Sequence, residues 1–348
     1  MMYTDPKGLY QEHRQTLWLS NPANARQFAL RIFFMVYVAL ATALIGLMLL
    51  SFAVGAFTVY GTGLGAASIS REVGRIPFFV VGIPIVFPVS VTVGELFAII
   101  WSIYLLLLVV ALSGPSKNFL SAISDLLHLT PNGTKGNSAF NVARMFSILV
   151  VLITLIDFFQ ERAGIPTGSL PEADPIVKFV ILSYAPLVEE IGFRVTIIGL
   201  TAIVLLKGRQ LGSKAVYVLW SPAKYLKLFL KEEYKSAFRY VLVAVAVSAV
   251  FFGAAHVLYG AGWKLGKVTT STLAGLGLGW LYLEYGFAAA VLLHWSFNYF
   301  GSSFFYFSKA TGGSPIDPII DFLLFALGTI SLVNYGISQY TRTASPSN

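Results

Sequence analysis

Eight runs of mostly apolar residues, each long enough to cross a bilayer as a helix, divide this chain. They lie at 31–57, 95–112, 142–159, 175–206, 240–259, 268–285, 287–307 and 319–335. A helix rising about 1.5 Å per residue needs roughly 17 to 25 such residues to span the hydrocarbon layer. Lipid offers the backbone no hydrogen-bond partners, so segments of this kind must satisfy their N–H and C=O groups internally as helices. The fold class read from this pattern is an all-α integral membrane protein of about eight transmembrane helices. Composition agrees: 56% of the 348 residues are hydrophobic and 11% are charged, against roughly 25% charged in soluble proteins.

The runs divide the chain into a polar N-terminal cytoplasmic segment at 1–30, an N-terminal membrane region at 31–174, a core at 175–341 and a tail at 342–348. The first 26 residues lack the short apolar stretch and cleavage site of a signal peptide, so the N-terminus is expected to be retained. Eight basic residues fall between Lys207 and Arg239. With an even number of spans, that bias predicts a cytoplasmic location for both termini. In the same stretch Ser221 is a candidate N-cap with Pro222 at the first helical position, and Lys224, Lys227, Lys231 and Lys235 recur at helical spacing. This predicts a helix lying on anionic lipid. The net charge of +8 is read the same way, because no nucleic-acid motif is present.

Residues 61–94 form a Pro-rich insertion. Pro77, Pro84 and Pro88 interrupt an apolar stretch rich in Val, Ile and Phe, which predicts a surface hairpin or re-entrant segment rather than a spanning helix. Gly275, Gly277 and Gly279 lie within an apolar span, where small residues let helices approach closely. The span beginning at Pro175 is long enough to bend at Pro186.

Polar groups inside the apolar runs need a reason to be there, since a charge at the centre of a spanning helix costs about 2.5 to 3.5 kcal/mol on insertion scales. Glu189, Glu190 and Arg194 lie in the fourth run, Phe252 and His256 in the fifth, and His294 and Asn298 in the seventh. On an α-helix, Glu190 and Arg194 can pair at four-residue spacing, and His294 and Asn298 face the same way. Glu189 is rotated by about 100° from Glu190 and can point elsewhere, which leaves one carboxylate structural and the other free. Glu95, Asp157, Glu284 and Asp321 lie near span ends, where interfacial water explains them. There is no cysteine, so thiol catalysis and disulfides are excluded. A carboxylate, imidazoles and an amide donor suffice for acyl transfer to water without a nucleophilic side chain. They could equally serve as a proton relay in a transporter or proton-coupled carrier.

In order along the chain, Glu-Glu-Ile-Gly-Phe-Arg (Glu189 to Arg194), Phe-Gly-Ala-Ala-His (Phe252 to His256) and His-Trp-Ser-Phe-Asn (His294 to Asn298) resemble the EExxxR, FxxxH and HxxxN motifs of the CAAX prenyl protease and bacteriocin-immunity group of intramembrane proteases, also called the Abi or CPBP family. The resemblance covers about 175–300. It implies that Glu189 and His256 activate a water molecule and that His294 and Asn298 stabilise the oxyanion, with Glu190, Arg194 and Phe252 supporting the site. The expected substrate is a membrane-associated peptide, prenylated or otherwise lipid-anchored. An inactive immunity or scaffold role is the alternative within the family. Part of the family is labelled metalloprotease, and Glu189, His256 and His294 would make a three-ligand zinc set. HExxH is absent, and a metal-free glutamate mechanism explains the same residues, so no tightly bound metal is expected. A single water-filled cavity among the fourth, fifth and seventh spans is predicted.

Overall fold

In the computed structural model, residues 22–128, 136–171, 174–206, 212–260, 262–313 and 316–344 are described. Among the described residues the secondary structure is α-helical apart from short π- and 3₁₀-helical stretches, one two-stranded sheet and two isolated bridges. Its long helices are α1 (Pro22–Gly61), α2 (Val93–Ser113), α3 (Ser138–Arg162), α4 (Pro175–Glu190), α5 (Ser213–Trp220), α6 (Pro222–Leu230), α7 (Tyr234–Leu258), α8 (Leu265–Tyr285), α9 (Phe287–Trp295), α10 (Gly301–Thr311) and α11 (Asp317–Ala344). A π-helix at Ile191–Gly199 continues α4, and a second at Ser296–Phe300 joins α9 to α10.

All eight apolar runs lie on helices. Five helical segments are long and apolar enough by themselves to cross a membrane: Arg31–Gly61, Val93–Ser113, Ser138–Arg162, Pro222–Leu258 and Asp317–Gly336. The other three runs fall on α4 with its π-helix, on α8, and on α9 with α10. Two of these carry polar motif residues and the third carries the glycines. In α9 every residue from Ala288 to Trp295 is buried, whereas Ile181, Val204, Trp280 and Phe305 of these runs stand exposed. The outer helices show the complementary pattern, with Phe251, Val250, Leu106 and Phe159 exposed on their outward faces.

The glycines of α8 pack as their spacing predicts. A side chain at Gly275 would meet Ala249 and one at Gly279 would meet Val245, so both positions hold α8 close against α7. Ser221 stands at the N-cap of α6 with Pro222 as its first residue, as the sequence predicts, though without a side-chain capping bond. One expectation near the basic stretch needs correcting. The four lysines do not share one helix, because the chain breaks at Lys231, where φ is +44°. Lys224 and Lys227 stand exposed on α6, and Lys235 belongs to α7. Glu95 is explained locally: it closes a capping box with Thr92 at the start of α2.

The Pro-rich insertion is an antiparallel hairpin of β1 (Arg75–Val80) and β2 (Ile83–Pro88). Val81 and Gly82 form its two-residue turn, with φ of +49° and +75° as a type I′ turn requires. Val80 and Ile83 close the turn, and counting outward from them places Pro77, Pro84 and Pro88 in alternate pairs whose backbone N faces away from the partner strand. The ladder therefore loses nothing to the prolines, and both edges are blunted against further pairing.

The hairpin is docked on the π-helix after α4. Gly82 N–H donates to Gly192 O at 3.0 Å, Val81 N–H donates to Thr196 Oγ1 at 2.9 Å, and Tyr184 hydroxyl donates to Pro77 O at 2.9 Å. Phe79 packs on Phe193 and fills the space where Gly192 lacks a side chain. At its base, Asp174 caps α4 and accepts from Ser68 Oγ and Arg71 Nη1, the latter at 3.0 Å. Gly192→Val drives a branched side chain into Phe79 and is expected to release the hairpin. Limited proteolysis within 74–92 should accelerate at least about tenfold for the variant; an unchanged cleavage rate would mean that this docking does not hold the hairpin.

Candidate active site

Four helical elements bring their polar groups to one region. Glu189 and Glu190 are the last two residues of α4, and Arg194 comes next on its π-helix. Phe252 and His256 come from α7, His294 from α9, and Asn298 from the second π-helix. Both motif pairs expected at α-helical spacing, Glu190 with Arg194 and His294 with Asn298, straddle the start of a π-helix. The wider i→i+5 turns keep each pair in contact while redirecting the helix beyond it, a distortion common at functional sites.

Glu190 is the centre of the cluster. It is fully buried; Oε1 accepts from His294 Nδ1 at 2.8 Å, and Oε2 lies 3.2 Å from Arg194 Nε. Arg194, also fully buried, reaches across α8 to donate from Nη2 to Gly275 O at 3.4 Å, and its guanidinium lies 4.3 Å from the Phe252 ring centroid. Phe252 is thus more than a core aromatic. Its face covers Arg194, and its ring meets both His256 and His294 edge-on, with centroids at 4.7 and 5.5 Å.

With Nδ1 of His294 committed to Glu190, Nε2 points to the opposite side, where Glu189 Oε2 lies at 3.8 Å and Asn298 Nδ2 at 3.5 Å. Glu189 thus parts from Glu190, as α-helical rotation allows: it lines a cavity that Glu190 does not reach and approaches the imidazole at its other nitrogen. Both carboxylates face the same imidazole, from opposite ring nitrogens. His256 is held in the same manner: its Nδ1 is 2.8 Å from Phe252 O, so the tautomer that satisfies that carbonyl leaves Nε2 free. Among the described residues no ion pair joins Glu189 to His256.

The single cavity expected from the sequence is replaced by two. A cavity of about 610 Å³ runs between β1, the start of α2 and α4; Glu189 lines it together with apolar groups such as Ile76, Phe79, Val180 and Tyr184, and with Arg71, Glu72, Arg75 and Asp174. A smaller cavity of about 130 Å³ is lined by His256, His294 and Asn298, with Asp157, Lys267, Thr270 and Ser271. Glu190 and Arg194 line neither, and Glu189 on the large cavity lies 3.8 Å from His294 Nε2 on the small one. Asp157 is a correction to the reading of span ends: it lines the small cavity and accepts from Thr167 Oγ1 at 2.9 Å. Sequence reasoning also passed over Lys267 and Gly192. A lysine in the first turn of a helix, where the dipole disfavours a cation, was the available signal for the former, and a glycine inside the charged motif for the latter.

No trio of His, Asp or Glu among the described residues is arranged to hold a metal ion. Glu189 opens on one cavity and His256 on the other, so with the side chains as they stand, Glu189, His256 and His294 do not form a zinc ligand set.

Residues 172–300 match the family model described as Type II CAAX prenyl endopeptidase Rce1-like. The match agrees with the resemblance carried by the three motifs and spans all of them. No curated protein and no solved structure matches the chain.

Removing one partner of a fully buried ion pair leaves the other charge uncompensated, typically at a cost of about 3–5 kcal/mol. Arg194→Met should therefore lower the thermal midpoint in detergent markedly, and Arg194→Met combined with Glu190→Gln should recover part of the loss. A single variant as stable as the parent would mean that the pair does not hold the helices together.

Proposed function

On the premise of that family match, we propose that the protein is an intramembrane endopeptidase that hydrolyses a peptide bond of a membrane-associated substrate, prenylated or otherwise lipid-anchored peptides included. The observation that carries this reading is Glu189 beside His294 at the meeting of an apolar cavity and a polar one. An apolar peptide segment or lipid chain has a place along β1 and α4, and water has one beside His256.

In this mechanism Glu189 takes a proton from water, assisted by the free Nε2 of His256, and the water oxygen bonds to the peptide carbonyl carbon. The oxyanion accepts from Asn298 Nδ2 and from His294 Nε2 when that ring carries a proton on both nitrogens. The C–N bond then breaks as the proton returns to the leaving amine. Glu190 and Arg194 take no proton; they fix the His294 ring. A largely dry surround strengthens each of these contacts. The mechanism calls for no resident metal, in keeping with the donor geometry.

We also infer that both termini face the cytoplasm, with α5 and α6 at that surface. Exposed Val216, Tyr217, Trp220 and Leu228 beside exposed Lys224 and Lys227 suit the headgroup region of an anionic leaflet.

Purified protein in detergent is expected to cut peptides from a lipidated and non-lipidated panel, and Glu189→Gln to lower turnover by at least about a hundredfold with an unchanged thermal midpoint. Chelator treatment should leave the parent's turnover intact. Glu189→Gln with full activity would remove Glu189 from the mechanism, and stoichiometric zinc whose loss abolishes cleavage would replace the metal-free reading.

A further inference from the structure

One charged group of the small cavity has no part in that mechanism. Lys267 lines the cavity together with His256, His294 and Asn298. Its amino group lies 4.2 Å from the Trp263 ring centroid and makes no hydrogen bond and no ion pair within 4.0 Å among the described residues. Opposite charges are near, since Asp157 and Glu189 both act on it electrostatically, but Asp157 is engaged by the Thr167 hydroxyl. Helix stability does not account for Lys267 either, because a cation in the first turn of α8 opposes the helix dipole.

We propose that Lys267 binds a carboxylate of the peptide substrate, and so selects peptides with a free acid close to the bond that is cut. This rests on the endopeptidase reading and deepens it. The small cavity is bounded on one side by the two imidazoles and Asn298 and on another by a half-buried ammonium resting on an indole. A peptide whose reacting carbonyl lies against Glu189 and His294 would extend its leaving side past His256 toward Lys267. Thr270 and Ser271, on the same helix, also line the cavity, with the Thr270 hydroxyl donating to the Gly266 and Lys267 carbonyls. A carboxylate is the peptide group that pairs with an ammonium. It could be the C-terminal α-carboxylate of the substrate or an Asp or Glu side chain within it. Asp157 is the one like charge that the ligand meets there, and it sets the affinity lower than Lys267 alone would give.

The test uses full-length protein in detergent and one peptide sequence in three forms: a C-terminal free acid, the C-terminal amide, and the amide with Glu placed near its end. The parent should prefer a carboxylate-bearing form over the plain amide by about tenfold to a hundredfold in kcat/KM, chiefly through KM, as expected for one charge-assisted contact. If only the free acid is favoured, the source is the chain terminus; if the Glu-bearing amide is favoured as well, it is any nearby carboxylate. Lys267→Gln should bring the forms to parity, read as the ratio of their kcat/KM values within each variant, Lys267→Arg should keep the preference, and Asp157→Asn should widen it. A preference that survives Lys267→Gln, or one abolished by Asp157→Asn, would overturn the assignment and leave the endopeptidase reading standing. No cleavage of any form by the parent would instead sink both.

Discussion

A pair of charges with no access to water, Glu190 and Arg194, is the interaction on which this architecture depends. Burying them is costly, and the partners that offset part of that cost come from elsewhere in the chain: His294 from α9, the Gly275 carbonyl from α8, and the Phe252 ring from α7, with Arg194 Nη1 left without a hydrogen-bond partner among the described residues. Three helices must therefore converge on the end of α4. The glycines of α8 serve the same end. Gly275 and Gly279 let α7 and α8 approach closely enough that a carbonyl from one and an aromatic face from the other both reach a single guanidinium.

The cluster in turn orients the chemistry. Because Glu190 occupies Nδ1 of His294, Nε2 is turned toward Glu189 and Asn298, and because Phe252 O holds His256 Nδ1, the free nitrogen of that ring is available to the small cavity. Each histidine is fixed by a partner to which the proposed mechanism gives no proton transfer. Neither cavity contains the whole set of groups. The large one offers Glu189 among apolar walls, and the small one offers imidazoles, an amide and a lysine, so a substrate joining them would meet lipid-like and water-like surroundings on opposite sides of the same bond.

The hairpin shows how an irregular insertion can be accommodated beside such a site. Its prolines fall where no ladder N–H is needed, and its turn is tied to the π-helix through Gly192 and Thr196. Glycine at 192 does two jobs at once: its carbonyl accepts from the turn, and its missing side chain admits Phe79. The wall of the large cavity and the segment carrying Arg194 are thereby one mechanical unit.

Much of this was legible in the residues alone. Hydropathy and length gave helices at all eight runs, since lipid forces a backbone to satisfy itself locally, and the three motifs drew attention to Glu189, Glu190, Arg194, Phe252, His256, His294 and Asn298 because charge inside an apolar run is costly. The proline spacing argued against a span and left a surface hairpin or a re-entrant segment, of which the structure has the hairpin. Only the tertiary structure decided how those groups meet. A one-dimensional reading fixes directions only within one helix, and that Glu189 lies 3.8 Å from His294 Nε2 depends on how α4 and α9 pack. It also cannot weigh Lys267 or Asp157, which look interfacial by position and become cavity residues only when α3 and α8 pack beside α7 and α9. Local periodicity determines which segments are buried, whereas the contacts that choose partners among buried polar groups are made by residues far apart in the chain.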